Sequence, residues 1–255
     1  MEGDDSNVVT PEARLSERIA PSQPVVMYQR WEELLFLHWA FDPEIIAATL
    51  PDGLTVDTFD GKAWVGVVPF FMSGVRPRFL PAVPGISNFQ ELNLRTYVVD
   101  RLGRPGVWFY SLDTSHRLPV WIARKFFHLN YLWAQMSAQR SNALTRYTSR
   151  RRSGDRWGEA QTFRWQRQGK ACEAEAGSLE FFLVERYRLF SHDERLGRLY
   201  SGKVHHEPYQ VQGVDLESYS KRLFEMDGLM APEGGPVSVL GASGVDVRIY
   251  PLARV

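Results

Sequence analysis

The chain has one cysteine, Cys172, among 255 residues. A lone thiol closes no intramolecular disulfide and supplies no paired-cysteine metal spacing, so neither an oxidised scaffold nor a zinc ribbon is available. Net charge is also missing. Thirty basic side chains balance thirty acidic ones, and no global field gathers nucleic acid or an anionic surface. No apolar run is long enough to cross a bilayer, and the acidic start (Glu2, Asp4, Asp5) lacks the basic and apolar regions of a secretory signal. These absences lead to the expectation of a soluble, cytoplasmic protein. A glycine-rich phosphate loop, a Gly-x-Ser-x-Gly elbow and the helical His-Glu-x-x-His pair are absent as well. Lysine is scarce, with five residues against 25 arginines. Arginine suits bidentate carboxylate recognition, although a base-composition bias of the host genome produces the same excess.

What is present is apolar and aromatic: 44% of residues are hydrophobic and eight are Trp. A chain of this length buries about three quarters of its unfolded surface. It carries no internal repeat, low-complexity segment or dividing linker. The expected organisation is an N-terminal extension over residues 1–24 and a single domain over 25–255.

The most informative stretch runs from Asn88 to Val99. As a strand, it puts Gln90, Leu92, Leu94, Thr96 and Val98 on one face and Phe89, Glu91, Asn93, Arg95, Tyr97 and Val99 on the other. The second face suits a cleft in which a few polar groups converge among apolar walls. The competing reading is an outer face with a cross-strand ion pair.

Around it, Thr10-Pro11-Glu12 starts a short helix reaching Ala20. Leu34 to Trp39 is a buried strand, and Asp42-Pro43-Glu44 opens a helix that stops at Pro51-Asp52-Gly53. Strands are predicted at 54–59 and 63–71 about the Asp60-Gly61 turn, then at 106–112, 131–137, 145–151, 162–167, 177–190, 202–212 and 245–250. Residues 74–87, rich in proline, form a loop long enough to act as a lid. Leu118, Ile122, Lys125, Phe126 and Leu129 recur at helical spacing in a helix ending near His128. A further helix is expected near 216–226. Many antiparallel strands with few helices favour an α+β or all-β barrel-like domain.

Blocks including Leu50-Pro51-Asp52-Gly53-Leu54, Phe59-Asp60-Gly61-Lys62-Ala63-Trp64, Glu91-Leu92-Asn93-Leu94-Arg95-Thr96-Tyr97, Glu185-Arg186-Tyr187 and His205-His206-Glu207-Pro208 resemble the YqjF-like family of unknown function, from about residue 25 to 212. That family is similar to the acetoacetate-decarboxylase-like superfamily. The resemblance implies an α+β fold: an antiparallel β-cone or barrel with flanking helices and a ligand cavity inside. It also exposes a departure. Where true acetoacetate decarboxylases follow an arginine-bearing helix with the Schiff-base lysine and a second lysine, this chain has Tyr131 and Leu132 after Arg124. Without the amine no iminium can form, so a Schiff-base decarboxylase is not expected.

Glu91 looks like the superfamily's active-site glutamate. With Arg95 on the same face, it could hold a carboxylate or carbonyl compound, Arg95 as clamp and Glu91 as general acid or base; a structural salt bridge is the alternative. Tyr97 joins that face. Arg124 could add a second positive group, or be a surface helix arginine. His128 and Tyr131, beside the lost lysine, could move a proton, or His128 could be a satisfied core residue. His205 and His206 fall on opposite faces of a strand and cannot easily share an ion, so no metal is expected and His206 alone is assigned to the pocket. The run of Arg146, Arg150, Arg151, Arg152 and Arg156 straddles a hairpin tip, where charge is solvated. The expected partner is a small carboxylate or carbonyl ligand, with no cofactor, nucleic acid or membrane and a homo-oligomer left open. Lysine-independent acid/base chemistry competes with a non-catalytic binding or sensing role.

Overall fold

Period-two alternation becomes strand almost wherever the sequence carries it. A computed structural model describes residues 9–141 and 144–255, except the side chains of 118, 119, 122 and 123. The acidic residues 2, 4 and 5 and the apolar spacing of Leu118 and Ile122 therefore lie outside the described residues. In chain order, α1 (Pro11–Ser16) precedes β1 (Met27–Phe41), α2 (Pro43–Ala47), β2 (Leu54–Val56) and β3 (Ala63–Pro77). Next come β4 (Phe89–Asp100), β5 (Pro105–Thr114), α3 (Arg117–Phe126) and β6 (Tyr131–Ser141). Then follow β7 (Leu144–Ser153), β8 (Arg156–Trp157), β9 (Gln161–Glu173) and α4 (Leu179–Val184). The chain ends with β10 (Arg188–Asp193), β11 (Arg198–His205), β12 (Gln210–Ser218), α5 (Arg222–Met226) and β13 (Ser238–Arg254). The molecule is mostly sheet with a few short helices, richer in strand than an α+β description suggests.

The strand expected at 54–59 is only β2, β3 runs to Pro77 into the loop expected from 74, and three further elements differ more. Residues 177–190 are not one strand. Ser178 Oγ accepts from Phe181 N at 3.1 Å and caps α4, whose residues Phe181 to Val184 are all buried. Four consecutive buried positions leave alternation and helical spacing equally satisfied, and the cap decides between them. Residues 202–212 divide into β11 and β12 around Pro208, which has no backbone N–H to continue the ladder. The helix expected near 216–226 is only α5, because β12 runs on to Ser218. Nor is every pairing antiparallel, since β5 pairs in parallel with both β6 and β10.

The strands form one 13-stranded sheet, and the pairings β11–β13 and β4–β5 close it into two circuits that share β13, β1, β3, β4 and β5. β4, residues 34–39 of β1 and residues 63–70 of β3 are buried on both faces, whereas β13 alternates buried with exposed residues. Leu34, Phe36, Trp64, Phe70 and Tyr97 pack into a first core with Phe182 of α4. Their alternating neighbours Leu35, Leu37, Val65, Leu92 and Leu94 pack into a second with Phe163, Trp165 and Phe224 of α5. Thus α4 fills the interior of the smaller circuit rather than flanking the sheet.

Buried ion pairs fasten the pieces. Arg151, expected to be solvated at a hairpin tip, is buried; its Nε donates to Asp113 at 2.7 Å and its Nη1 to Asp227, tying β7 to β5 and α5. The N-terminal extension is docked by charge at residues 14–18. Asp57 accepts from Arg14 and Arg186, each at 2.6 Å, Glu17 pairs with Arg188 and Lys203, and Arg18 with Glu185.

Burial alone would raise the Asp57 carboxyl, but Arg186 and Arg14 outweigh it and hold the pKa below the ordinary 3.8. Asp57→Asn leaves two buried guanidinium groups short of their anion and is expected to cost about 3–5 kcal/mol in urea unfolding at neutral pH. A folded-state pKa below the unfolded one stabilises fully above the unfolded value and is lost as pH falls through the folded one. The gap between wild type and variant should therefore be constant above pH 3.8 and narrow below it.

Candidate functional site

The face of β4 that carries charge points into the first core. Glu91 is 3% and Arg95 8% exposed, and both line a cavity of about 440 Å³ walled largely by apolar side chains. Tyr131 opens β6, and its half-buried phenol also lines the cavity. Register explains the meeting. Glu91 pairs with Thr114 on β5, and Thr114 with Trp133, two residues beyond Tyr131 on the same face of β6.

Tyr131 Oη donates to Glu91 Oε2 at 2.6 Å, Asn93 Nδ2 donates to Oε1 at 3.3 Å, and Tyr147 Oη donates to the Glu91 carbonyl at 2.8 Å. Burial pushes the Glu91 carboxyl up from 4.5 to about 7, against the bonds from Tyr131 and Asn93; nearby Asp113 adds to the rise and Arg95 opposes it. Burial and the adjacent Glu91 drive the Tyr131 phenol well above 10, so it stays a proton donor. A carboxyl titrating near neutrality beside a fixed phenol can give and take a proton at physiological pH.

Arg95 does not pair with Glu91, so the alternative of a structural salt bridge is not realised. Its Nη2 donates to the Leu183 carbonyl of α4 at 3.3 Å, its Nε has no partner, and no carboxylate oxygen lies within 4.0 Å among the described residues. Phe36 and Tyr97 flank the guanidinium at 5.5 and 5.7 Å. Arg186 and Arg188 line the same cavity but are engaged, with Asp57 and with Glu17. The sequence reading missed both. The Glu185-Arg186-Tyr187 block was visible, but reading 177–190 as one strand hid which way its arginines turn.

Tyr97 and His206 do not line the cavity; they stand behind it. Tyr97 is fully buried, its Oη donating to the Leu183 carbonyl at 2.8 Å and lying 2.7 Å from His38 Nε2. Burial holds His38 well below 6.5 and neutral. Gly66, paired with Arg95, makes room: a Cβ there would stand 2.9 Å from His38 Cδ2. The Tyr97 phenol therefore positions the carbonyl that Arg95 leans on. His206 is buried with a pKa lowered to about 4, chiefly by desolvation, and stacks on Tyr187. Its neighbour His205 is half-exposed, as alternation requires.

His128 and Arg124 lie elsewhere. They line a separate outer cleft of about 1320 Å³ between α3, β10 and the turn after α2. His128 has φ +50°, stacks on Tyr200, and places Nδ1 3.6 Å from Asp193 Oδ2. The backbone turns over between α3 and β6, so proximity in sequence to Tyr131 does not become proximity in space. None of the five lysines lines the Glu91 cavity.

Residues 28–246 match the model of the DUF2071 family, described as an uncharacterized conserved protein. The chain belongs to the DUF2071 family. It is 38% identical over 230 residues to the uncharacterized protein YqjF of Bacillus subtilis (strain 168), covering 90% of this chain and 92% of that protein. Among solved structures, this DUF2071 chain is similar to an acetoacetate decarboxylase-like enzyme from Sphingomonas wittichii RW1, with TM-score 0.61 and 15% identity over 91% of this chain and 94% of that one. It is likewise similar to the acetoacetate decarboxylase of Legionella pneumophila, with TM-score 0.60 and 15% identity over 93% and 90%. The enduracididine biosynthesis enzyme MppR, complexed with pyruvate, aligns with TM-score 0.60 and 13% identity over 92% of each chain. At such identities the likeness is one of fold. Among the described residues no helix is long and apolar enough to cross a membrane.

The raised Glu91 pKa carries a stability signature. A carboxyl whose folded-state pKa exceeds its unfolded one stabilises fully below the unfolded value and loses that contribution as pH rises through the folded value. Between pH 4.5 and about 7 the wild type should lose on the order of 3 kcal/mol relative to Glu91→Gln. Urea unfolding of both proteins at pH 5 and pH 8 reads this difference; parallel pH dependence would contradict the assignment.

Proposed function

We propose that this chain binds a small organic acid or carbonyl compound inside the smaller circuit, used as a barrel with a ligand-filled lumen. Arg95 grips the carboxylate or carbonyl oxygen, while Glu91 and Tyr131 handle a proton without a lysine. The observation that carries this reading is the Arg95 guanidinium, buried on the cavity wall with no carboxylate partner among the described residues. A buried cation is costly until an anion meets it, and a ligand anion supplies what the fold withholds. MppR, similar in fold, is complexed with pyruvate, and the decarboxylases bear the name of a 3-oxo acid, which supports the same ligand class here.

The chemistry open to the site is acid/base. With Tyr131 in the amine's place, substrate cannot be held as an iminium, and Glu91 is a group on the Arg95 wall that titrates near neutrality. The second reading, a non-catalytic binder or sensor, is favoured by the 2.6 Å bond that engages Glu91 with Tyr131 instead of leaving it free.

The two readings separate by mutation. Arg95→Met should weaken binding of a 2-oxo or 3-oxo acid by about 10- to 100-fold in calorimetry, the size of a lost charge-assisted hydrogen bond. Glu91→Gln should leave that affinity within about threefold and abolish turnover in an enzyme, whereas a binder has no turnover to lose. Borohydride treatment with candidate oxo acids should leave the protein mass unchanged; a covalent adduct would overturn the lysine-independent reading.

A further inference from the structure

Charge and apolar surface are segregated along the cavity. On β3, Gly66 is level with Arg95, Phe70 with Glu91 and Met72 with Phe89, and the strand continues to Pro77 beside Met27. The other two cavity arginines lie at the Arg95 end. The Arg186 guanidinium sits 4.7 Å over the Tyr97 ring, and Leu189, next to Arg188, pairs with Val107, itself paired with Tyr97. From Phe70 to Pro77 the wall runs roughly 20 Å at the rise of a strand. Beyond Glu91 that wall carries no charge: Met72, Val75, Met27 and Ile249 line it, with Gln29 and Ser87 each hydrogen-bonded within the protein. At its far end the loop after β3 contributes Leu80, Val83 and Ile86, which are 59%, 47% and 42% exposed although they line the cavity. Large apolar side chains half in water at the mouth of an apolar cavity are positioned to cover something apolar.

We propose that the ligand is an amphipathic acid: a carboxylate, or carboxylate and adjacent carbonyl, carried on an alkyl or aryl body that runs from Glu91 to the loop after β3. This rests on the reading that Arg95 receives an acid. A two- or three-carbon acid would satisfy Arg95 but leave most of the 440 Å³ and its apolar wall unused. A longer body buries itself and the three loop side chains together, so the loop closes over the tail and not over the head. Arg186 and Arg188, each tied to a protein carboxylate, add positive potential at the head end and repel a second cation there.

Calorimetry on the full chain with butanoate, hexanoate, octanoate and uncharged 1-octanol tests both layers. The dissociation constant should fall about fourfold per added methylene, the factor that burial of one methylene provides. Arg95→Met should weaken every acid by a common factor. Leu80→Glu, at an exposed loop position, should remove at least tenfold from octanoate affinity while leaving butanoate unchanged. Acids that bind through Arg95 with no gain from chain length would overturn the amphipathic inference and leave the acid reading standing. Octanol binding as tightly as octanoate, with Arg95→Met without effect, would overturn the acid reading, and absence of any binding would overturn both.

Discussion

One strand with no solvent face, β4, constrains everything else in this molecule. Antiparallel sheets ordinarily turn one side to water, and their alternation separates polar from apolar. In β4, and in the stretches 34–39 of β1 and 63–70 of β3, neither side is free, so each pair of neighbouring residues must suit two cores at once. Leu92 and Leu94 meet that demand as hydrocarbon in the second core, while Glu91, Asn93 and Arg95 meet it in the first as polar groups almost wholly buried. A charged residue so placed must be paired, neutralised by its surroundings, or left without a counter-charge.

The chain uses all three solutions within one circuit. Arg186 and Arg14 share Asp57, Arg188 and Lys203 share Glu17, and Arg18 meets Glu185. Glu91 is brought toward neutrality by burial. Arg95 alone among the three cavity arginines is left with a single long bond to a backbone carbonyl. The position of that carbonyl depends on α4 inside the circuit and on the Tyr97–His38 contact that Gly66 permits. The short N-terminal helix joins the same system, because Arg14 reaches the cavity arginine Arg186 through Asp57. What a sequence reading treats as an extension is thus part of the electrostatic wall.

Much of this is legible in the sequence. The caps at Thr10 and Asp42 and the Asp60-Gly61 turn are local signals, and each is found where its side chain chemistry puts it. The odd mixed face of β4 was visible as an anomaly of alternation. The misreadings arose where local rules run out. In 177–190 four consecutive buried apolar residues, Phe181 to Val184, carry no polar position to betray a helical period. Arg151 sits in a run of arginines that looks solvated, and only Asp113 on β5 and Asp227 beyond α5 take it inside. His128 and Arg124, two turns or less from Tyr131 in sequence, face the outer cleft because the chain reverses through a left-handed residue between α3 and β6.

Local pattern alone settles which residues alternate, where helices start, and that Tyr131 and Leu132, not lysines, open β6. These depend on neighbours within a few positions, or on identity alone. Tertiary structure alone decided that Tyr131 bonds to Glu91, 40 residues away, that Arg186 is taken by Asp57, 129 residues away, and that Arg95 is taken by nothing charged among the described residues. The physical reason is closure. Partners this distant are chosen by the register of β4, β5 and β6 and by the pairings that join the ends of the sheet, and no local pattern encodes which buried charge is left over once the circuit shuts.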